Sequence, residues 1–204
     1  CSSDLISFCT HDGIGVVDVI DLLSDDEIEK TREYLFDKGA NVKKIYNTIE
    51  YKNLDIYQVN CTYYSALGNN DDAYIMARAI QFFTPGIPQV YYVGLLAGKN
   101  DIKLLEETNV GRNINRHYYS KEEVEQNLNR TVIKRLIKLM KFRNSYPAFN
   151  GDISVNNTVN EQLLKISWKN GDYETILNAN LKTHKFVITY YSLNLDKYKE
   201  LLDV

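Results

Sequence analysis

Capping signals and the spacing of apolar residues predict the helices of this chain. Ser24 and Glu27 form a capping-box pattern, which predicts a helix over about residues 25–38 that ends at Gly39. The polar run at 69–72 predicts the start of a second helix, which reaches Phe83. A short helix is predicted after Ser120. Apolar residues at helical spacing predict a last helix that ends near residue 144: Val132, Ile133, Leu136, Ile137 and Met140.

Two short apolar runs in the first half of the chain predict buried strands. Residues 5–9 are rich in strand formers and lead directly into polar and glycine residues. Residues 89–93 follow a helix-breaking stretch at 84–88 that contains two prolines, and they end at Gly94. The order of helix, break, strand and loop is typical of an α/β protein.

The pattern changes after Pro147. Segments at 153–155, 163–168, 173–177 and 186–191 are rich in strand formers and alternate with turns, which include Asn156-Asn157 and Asn170-Gly171. We therefore predict two domains, an α/β part over residues 1–149 and a small antiparallel β domain over residues 150–204.

Composition and charge exclude several classes of protein. The 204 residues are 44% hydrophobic with a net charge of -3 and contain neither a basic stripe nor a membrane-length apolar run, so nucleic-acid and membrane binding are not expected. Three cysteines without C-x-x-C spacing argue against a disulfide framework and a zinc site, and favour the cytoplasm. The chain opens at Cys1, almost directly before an apolar segment, which is the pattern expected of a piece of a longer protein.

The sharpest local feature is the sequence His11-Asp12-Gly13 at the end of the first predicted strand. An imidazole and a carboxylate at the carboxyl end of a strand are typical of the active sites of α/β barrels. The same residues would equally suit a turn in which Asp12 caps backbone amides. These residues alone leave both interpretations open.

A set of longer motifs carries a family resemblance. Residues 10–13 resemble the fourth short motif of the α-amylase superfamily of retaining glycosidases, residues 85–94 resemble its eighth barrel strand, and residues 139–149 resemble the end of its last barrel helix. Within that superfamily, the motifs at 11–18, 53–60, 62–68, 96–101 and 111–119 are similar to the sucrose phosphorylases, in the same order. The resemblance implies the C-terminal part of a (β/α)8 TIM barrel followed by a small antiparallel β domain.

The resemblance implies roles for individual residues. Asp12 matches the carboxylate that stabilises the oxocarbenium-like transition state, whereas His11 and Arg112 match residues that bind the donor glucose. In a loop on the acceptor side, Asp55 and Gln58 are expected to bind fructose and Tyr57 to bind phosphate. The family's nucleophile and its general acid/base come from earlier strands, upstream of Cys1.

The activity implied by the resemblance is retaining transfer of glucose from sucrose to inorganic phosphate, which gives α-glucose 1-phosphate and fructose. The expected partners are these four small molecules, and a homodimer is compatible with the resemblance. Neither a cofactor nor a metal is implied.

Two alternatives to this activity remain open. One is a related enzyme: a phosphorylase of glucosylglycerate or of sucrose 6'-phosphate, or an α-glucoside hydrolase. The other is not an enzyme, but a truncated product or a free β domain that binds sugars or a partner.

Overall fold

The computed structural model describes residues 5–7, 11, 13–15, 19, 22–40, 58–157 and 160–201. The chain forms two compact units. The first, the sheet unit, consists of the described residues within 1–6, 71–89 and 129–204. The second, the loop unit, consists of those within 7–70 and 90–128. The predicted boundary between residues 149 and 150 stays a prediction.

Helices and a few two-residue strands make up the described residues up to 150, and a run of longer strands follows. The α-helices are α1 (Asp25–Asp37), α2 (Tyr63–Ala66), α3 (Asp71–Phe83), α4 (Tyr92–Leu95), α5 (Ile102–Thr108), α6 (Lys121–Leu128) and α7 (Thr131–Ser145), with 3-10 helices at Gly111–Asn115, Pro147–Asn150 and Leu193–Leu195. The strands are β1 (Leu5–Ile6), β2 (Ile14–Gly15), β3 (Gln58–Val59), β4 (Ile87–Pro88), β5 (Asp152–Asn157), β6 (Leu163–Asn170), β7 (Tyr173–Asn180), β8 (Lys185–Ser192) and β9 (Lys197–Glu200).

In the loop unit, the capping box of α1 confirms the predicted start of this helix. The Glu27 N–H donates to Ser24 Oγ, and the Ser24 N–H donates to Glu27 Oε2 at 2.9 Å. Leu35 on α1 then packs in a small core with Val59, Cys61 and Ala66. Burial raises the pKa of the Cys61 thiol to about 11, so this thiol stays protonated at neutral pH.

Asn100 joins three segments of the loop unit. Its side-chain amide donates to the Gly39 carbonyl at 2.9 Å, and its Oδ1 accepts from the Thr62 N–H at 2.8 Å. The Asn100 backbone N–H donates to Ser65 Oγ at 3.0 Å. These bonds hold the end of α1, the start of α2 and the residue before Asp101, the N-cap of α5, in one arrangement.

In the sheet unit, β1 and β4 form a parallel pair in which Leu5 lies opposite Ile87. Parallel pairing needs a crossover connection, as between neighbouring strands of an α/β barrel. Leu5 is 62% exposed, so the prediction of a buried strand is wrong for this residue in the chain as described. The prediction of a strand over 89–93 is also wrong, because the strand ends at Pro88 and α4 begins at Tyr92.

Within the described residues, β5 to β9 form an antiparallel sheet in sequential order, which confirms the predicted fold of the last part of the chain. Trp168 donates its indole N–H to the Phe83 carbonyl at 2.7 Å, so the sheet is bonded to the end of α3. The predicted turn at Asn156-Asn157 is wrong, because both residues pair with β6. The next hairpin turns one residue later than predicted, at Gly171 and Asp172.

Among the residues that the structure describes, none of the helices is long and apolar enough to cross a membrane.

Arg143 joins α7 to its neighbours in the sheet unit, and its removal should destabilise the protein. Its guanidinium lies over the rings of Phe149 and Trp168, at 4.4 and 5.5 Å from their centroids, and donates to the Gly86 carbonyl at 3.0 Å. A partly desolvated cation–π contact with a hydrogen bond contributes about 2–3 kcal/mol. We therefore expect Arg143→Ala to lower the free energy of unfolding by about that amount.

Urea unfolding of the variant checks this prediction. Lys141→Ala is the matched control, because Lys141 is an exposed cation on the same helix. Equal losses in the two variants would contradict the assigned contacts.

Candidate active site

His11 lies in an exposed turn of the loop unit, close to an aromatic residue. The centroid of its ring is 6.5 Å from that of Tyr91, and the two rings are tilted by 55°. The backbone carbonyl of His11 accepts a hydrogen bond from Arg116 Nε at 2.9 Å. A residue far along the chain therefore fixes the backbone of His11.

Gly13, two residues after His11, packs closely on the backbone of Val59. Its φ is +120°, and a Cβ at this position would lie 2.9 Å from the Val59 carbonyl carbon and closer still to its oxygen. The adjacent β2 pairs antiparallel with β3, with Ile14 opposite Val59. His11 is thus held by the Arg116 side chain, and Gly13 lies against the backbone of Val59.

Arg112 lies in the 3-10 helix Gly111–Asn115, where its side chain is exposed. The helix is anchored by Ile114 and Asn115, which are buried. The Ile114 carbonyl also accepts from the Asp101 N–H at 2.7 Å. Arg112 therefore projects from a fixed turn of backbone, as a residue that binds a polar ligand requires.

His117 follows this 3-10 helix and lies between two carboxylates. Its Nδ1 is 2.5 Å from Asp101 Oδ2, and its Nε2 is 3.3 Å from Glu123 Oε1. The His117 carbonyl accepts from the Tyr92 hydroxyl at 2.8 Å, and its ring lies edge-on to Tyr119 with centroids 4.5 Å apart. Contacts on the ring and on the backbone together fix this residue.

The charges of this cluster stabilise one another. Partial burial by itself lowers the pKa of His117, but the hydrogen bonds and charges of Asp101 and Glu123 outweigh burial and raise it. Burial by itself raises the pKa of Asp101, whereas the Leu104 N–H and His117 lower it overall. For Glu123, the hydrogen bond from the Ser120 N–H has the largest effect and lowers the pKa, and together with His117 it outweighs burial, which raises the pKa.

The stability that this cluster contributes depends on pH, because the pKa of His117 is raised and those of the two acids are lowered. The contribution of His117 to stability is complete below its unfolded pKa and is lost as the pH rises through its raised folded pKa. The contributions of Asp101 and Glu123 are present above their ordinary pKa values and are lost as the pH falls through their lowered folded values. The cluster is therefore intact between the folded pKa values of the acids and that of His117.

An NMR titration of the imidazoles tests this assignment. We expect the pKa of His117 to lie above the ordinary value of about 6.5 and to fall in Asp101→Asn, because that variant removes one of the two adjacent charges. His117→Gln identifies the resonance. Glu107→Gln, which removes an exposed carboxylate at the end of α5, is the control. An unchanged pKa in Asp101→Asn would contradict the ion pair.

Comparisons with known proteins find relatives of this chain that are glycoside phosphorylases. No family model matches. The chain is 56% identical to the sucrose phosphorylase of Streptococcus mutans over 174 residues, which make up 84% of this chain and 36% of that enzyme. The chain is homologous to part of this sucrose phosphorylase. It is also 45% identical to the glucosylglycerol phosphorylase of Marinobacter adhaerens over 193 residues, which cover 94% of the chain and 40% of the relative.

A solved structure supports the same relationship at the level of the fold. The sucrose 6F-phosphate phosphorylase of Thermoanaerobacter thermosaccharolyticum matches 97% of this chain with a TM-score of 0.87 and 43% identity. This confirms the predicted fold class, the C-terminal part of a (β/α)8 barrel followed by a small antiparallel β domain. The match takes in 39% of that structure, so the chain spans about two fifths of the length of its relatives.

The residue roles implied by the sucrose phosphorylase family stay predictions. Asp12, Asp55 and Tyr57 lie outside the described residues, and Gln58 is described only through its backbone in β3. His11 and Arg112 are described, and Arg116 connects the segment that carries Arg112 to the backbone of His11.

Sequence reasoning did not single out Arg116, His117 or the two carboxylates beside His117. Arg116 and His117 stand in the motif at 111–119 that the family resemblance identifies, and that motif is the signal that could have found them. In the described ranges, no group of three or more His, Cys, Asp or Glu side chains has the arrangement of a metal site.

Proposed function

We propose that the whole protein is a sucrose phosphorylase, which transfers glucose from sucrose to inorganic phosphate with retention of configuration. The products are α-glucose 1-phosphate and fructose. The observation that supports this proposal most strongly is the 56% identity with the Streptococcus mutans sucrose phosphorylase over 174 residues. The anchoring of His11 and Arg112 in one unit of the structure is consistent with it.

In this proposal the donor glucose is bound by His11 and Arg112. An imidazole can hydrogen-bond sugar hydroxyls in either tautomer, and a guanidinium offers five donors in a fixed plane. Asp12 supplies a negative charge opposite the oxocarbenium-like transition state, which lowers the barrier by electrostatic stabilisation. The nucleophile and the acid/base of the double displacement lie upstream of Cys1 in the whole protein.

The acceptor side is assigned to the loop that contains Asp55, Tyr57 and Gln58. Asp55 and Gln58 carry polar groups suited to the hydroxyls of fructose, and Tyr57 is assigned to phosphate. This loop has no Arg, Lys or His between Leu54 and Gln58, which favours free fructose over a phosphorylated sugar.

The reverse reaction tests the choice of acceptor, because relatives in this family act on different ones. The complete gene product would be given glucose 1-phosphate with fructose, fructose 6-phosphate, glycerol or glycerate in turn, and phosphate release would be measured. We expect the highest kcat/KM with fructose. A preference for fructose 6-phosphate would assign the protein to the sucrose 6F-phosphate phosphorylases, and a preference for glycerol to the glucosylglycerol phosphorylases.

The 204 residues by themselves should be inactive. Retaining transfer needs a nucleophilic carboxylate and a separate acid/base about 5 Å apart, and the family resemblance assigns neither to this chain. Incubating the purified chain with sucrose and phosphate should release no glucose 1-phosphate under conditions in which the complete gene product does. Turnover by the 204 residues would refute the assignment of both groups to upstream strands.

The cytoplasm is the proposed location, because three cysteines without paired spacing do not suit a disulfide framework.

A further inference from the structure

The segment 111–119 connects to the His11 turn through one hydrogen bond between distant residues. Arg116 Nε donates to the His11 carbonyl at 2.9 Å across 105 residues of sequence. Arg116 lies four residues after Arg112 and directly before His117. The segment 111–119 therefore contains one candidate sugar-binding residue, Arg112, and contacts the backbone of a second one, His11.

The backbone that carries Arg116 is fixed on both sides. Before it, Ile114 and Asn115 are buried, and the Ile114 carbonyl accepts from the Asp101 N–H. After it, His117 is held between Asp101 and Glu123 and accepts from the Tyr92 hydroxyl. Because Asp101 takes part on both sides, the N-cap of α5 is the common anchor of the segment.

The position of the anchor is itself fixed. Asp101 Oδ1 accepts from the Leu104 N–H at 2.9 Å at the start of α5. The preceding Asn100 is bonded to Thr62, Ser65 and Gly39. A continuous series of hydrogen bonds and chain neighbours therefore leads from Asn100 in the loop unit through Asp101 and its partners to the His11 carbonyl.

We propose that Arg116 and His117 are positioning residues for the donor-glucose subsite. His117, held between Asp101 and Glu123, sets the backbone of Arg116, and Arg116 Nε holds the carbonyl of His11. Neither residue needs to contact the sugar. The inference rests on the proposed function, because it takes His11 and Arg112 to be the residues that bind donor glucose.

Two substitutions at position 116 distinguish the effect of the hydrogen bond from Nε to the His11 carbonyl from the effect of the guanidinium charge. In Arg116→Gln, the side-chain amide nitrogen stands at the same number of bonds from Cα as Arg Nε, so the donor to His11 is kept and the guanidinium charge is lost. Arg116→Met has the same number of side-chain heavy atoms along the chain as Gln, ends where Arg has Nε, and removes the donor. The pair therefore tests the hydrogen bond to the His11 carbonyl.

In the complete gene product, Arg116→Met should lower kcat/KM for the glucosyl donor by about 10- to 100-fold, because small displacements of a binding group have effects of that size. Arg116→Gln should recover most of this loss. The KM for phosphate should change less than the kcat/KM for the glucosyl donor in both variants, because phosphate is assigned to Tyr57 whereas Arg116 bonds to His11. Lys121→Met, which removes an exposed cation on α6, is the control. Equal losses in Arg116→Met and Arg116→Gln would overturn the proposal.

Substitutions at His117 test the other half of the arrangement. Asn at this position can place an amide near Asp101 in place of Nδ1, whereas Leu removes both polar contacts. We expect His117→Leu to reproduce the effect of Arg116→Met and His117→Asn to be milder. A loss of thermal stability in His117→Leu with unchanged kinetics for the glucosyl donor would show that His117 has only a structural role, and would overturn its part of the proposal.

Amide hydrogen exchange separates this proposal from the proposed function, since it needs no activity. Exchange in the peptide that contains residues 11–15 should be faster in Arg116→Met than in Arg116→Gln and the wild type, whereas exchange in α3 should not change. Unchanged exchange at 11–15 would overturn the connection itself. Absence of glucosyl transfer by the wild type with sucrose and with glucose 1-phosphate would overturn the proposed function, and the exchange result would still decide the connection.

Discussion

Glucosyl transfer by the complete protein should nearly disappear in Asp12→Asn. The substitution keeps the size of the side chain and removes the negative charge that the family resemblance places opposite the oxocarbenium-like transition state. Loss of one such electrostatic contact lowers kcat by about 10²–10³-fold. Because the charge develops only in the transition state, the effect should fall on kcat more than on the KM for sucrose.

Steady-state phosphorolysis of sucrose by wild type and variant measures this effect. Asp37→Asn is the matched control, since Asp37 is an exposed carboxylate at the end of α1 and should tolerate the same change. If Asp12→Asn kept more than a tenth of the wild-type kcat, Asp12 would be a turn-capping residue, as the local sequence also allows.

Gly13→Ala should be strongly destabilising as well as inactivating. At φ +120°, any L residue is strained, and the new Cβ would press on the Val59 backbone carbonyl, which cannot move aside like a flexible side chain. Strain and overpacking together should cost about 3 kcal/mol or more. Since Gly13 is adjacent to Asp12, relief of this clash should also shift the candidate catalytic residue and lower kcat.

Gly171→Ala separates the cost of backbone strain from the cost of the clash with Val59. Gly171 also has a positive φ, +57°, but a Cβ there would have no atom within 4 Å. This control should lose only about 1–2 kcal/mol, which is the cost of a left-handed conformation without a clash. Urea unfolding and sucrose phosphorolysis of both variants measure the losses of stability and of activity. Similar losses of stability in the two would show that Gly13 does not contact Val59 as described.

Local signals predicted α1, α3, α6 and α7, but among the described residues they missed α2, α4 and α5. Ser24 and Glu27 determine the start of α1 through bonds within one turn, and the same is true of Asp101 at the start of α5. Strands and turns were predicted less well, because their ends depend on pairing with distant residues. Asn156 and Asn157 have the composition of a turn, yet pairing with β6 extends β5 through both of them. In the same way, Gln89 to Val93 have strand-forming side chains, but α4 begins at Tyr92.

In the candidate site, too, contacts between distant residues could not be predicted from the sequence. His11 and Arg112 stand in motifs that the family resemblance identifies, so the sequence was sufficient to select them. The contacts that position them join His117 to Asp101, 16 residues away, and Arg116 to His11, 105 residues away. Such pairs follow from how the 3-10 helix and α5 pack, and no local pattern in the chain predicts them.

A single incubation shows whether the whole protein is a sucrose phosphorylase. The complete gene product is incubated with sucrose in the presence and absence of inorganic phosphate, and glucose 1-phosphate and free glucose are both quantified. We expect α-glucose 1-phosphate in amounts that match the fructose released, and only when phosphate is present. Free glucose alone, released at the same rate whether or not phosphate is added, would show that the protein is a hydrolase and not a phosphorylase.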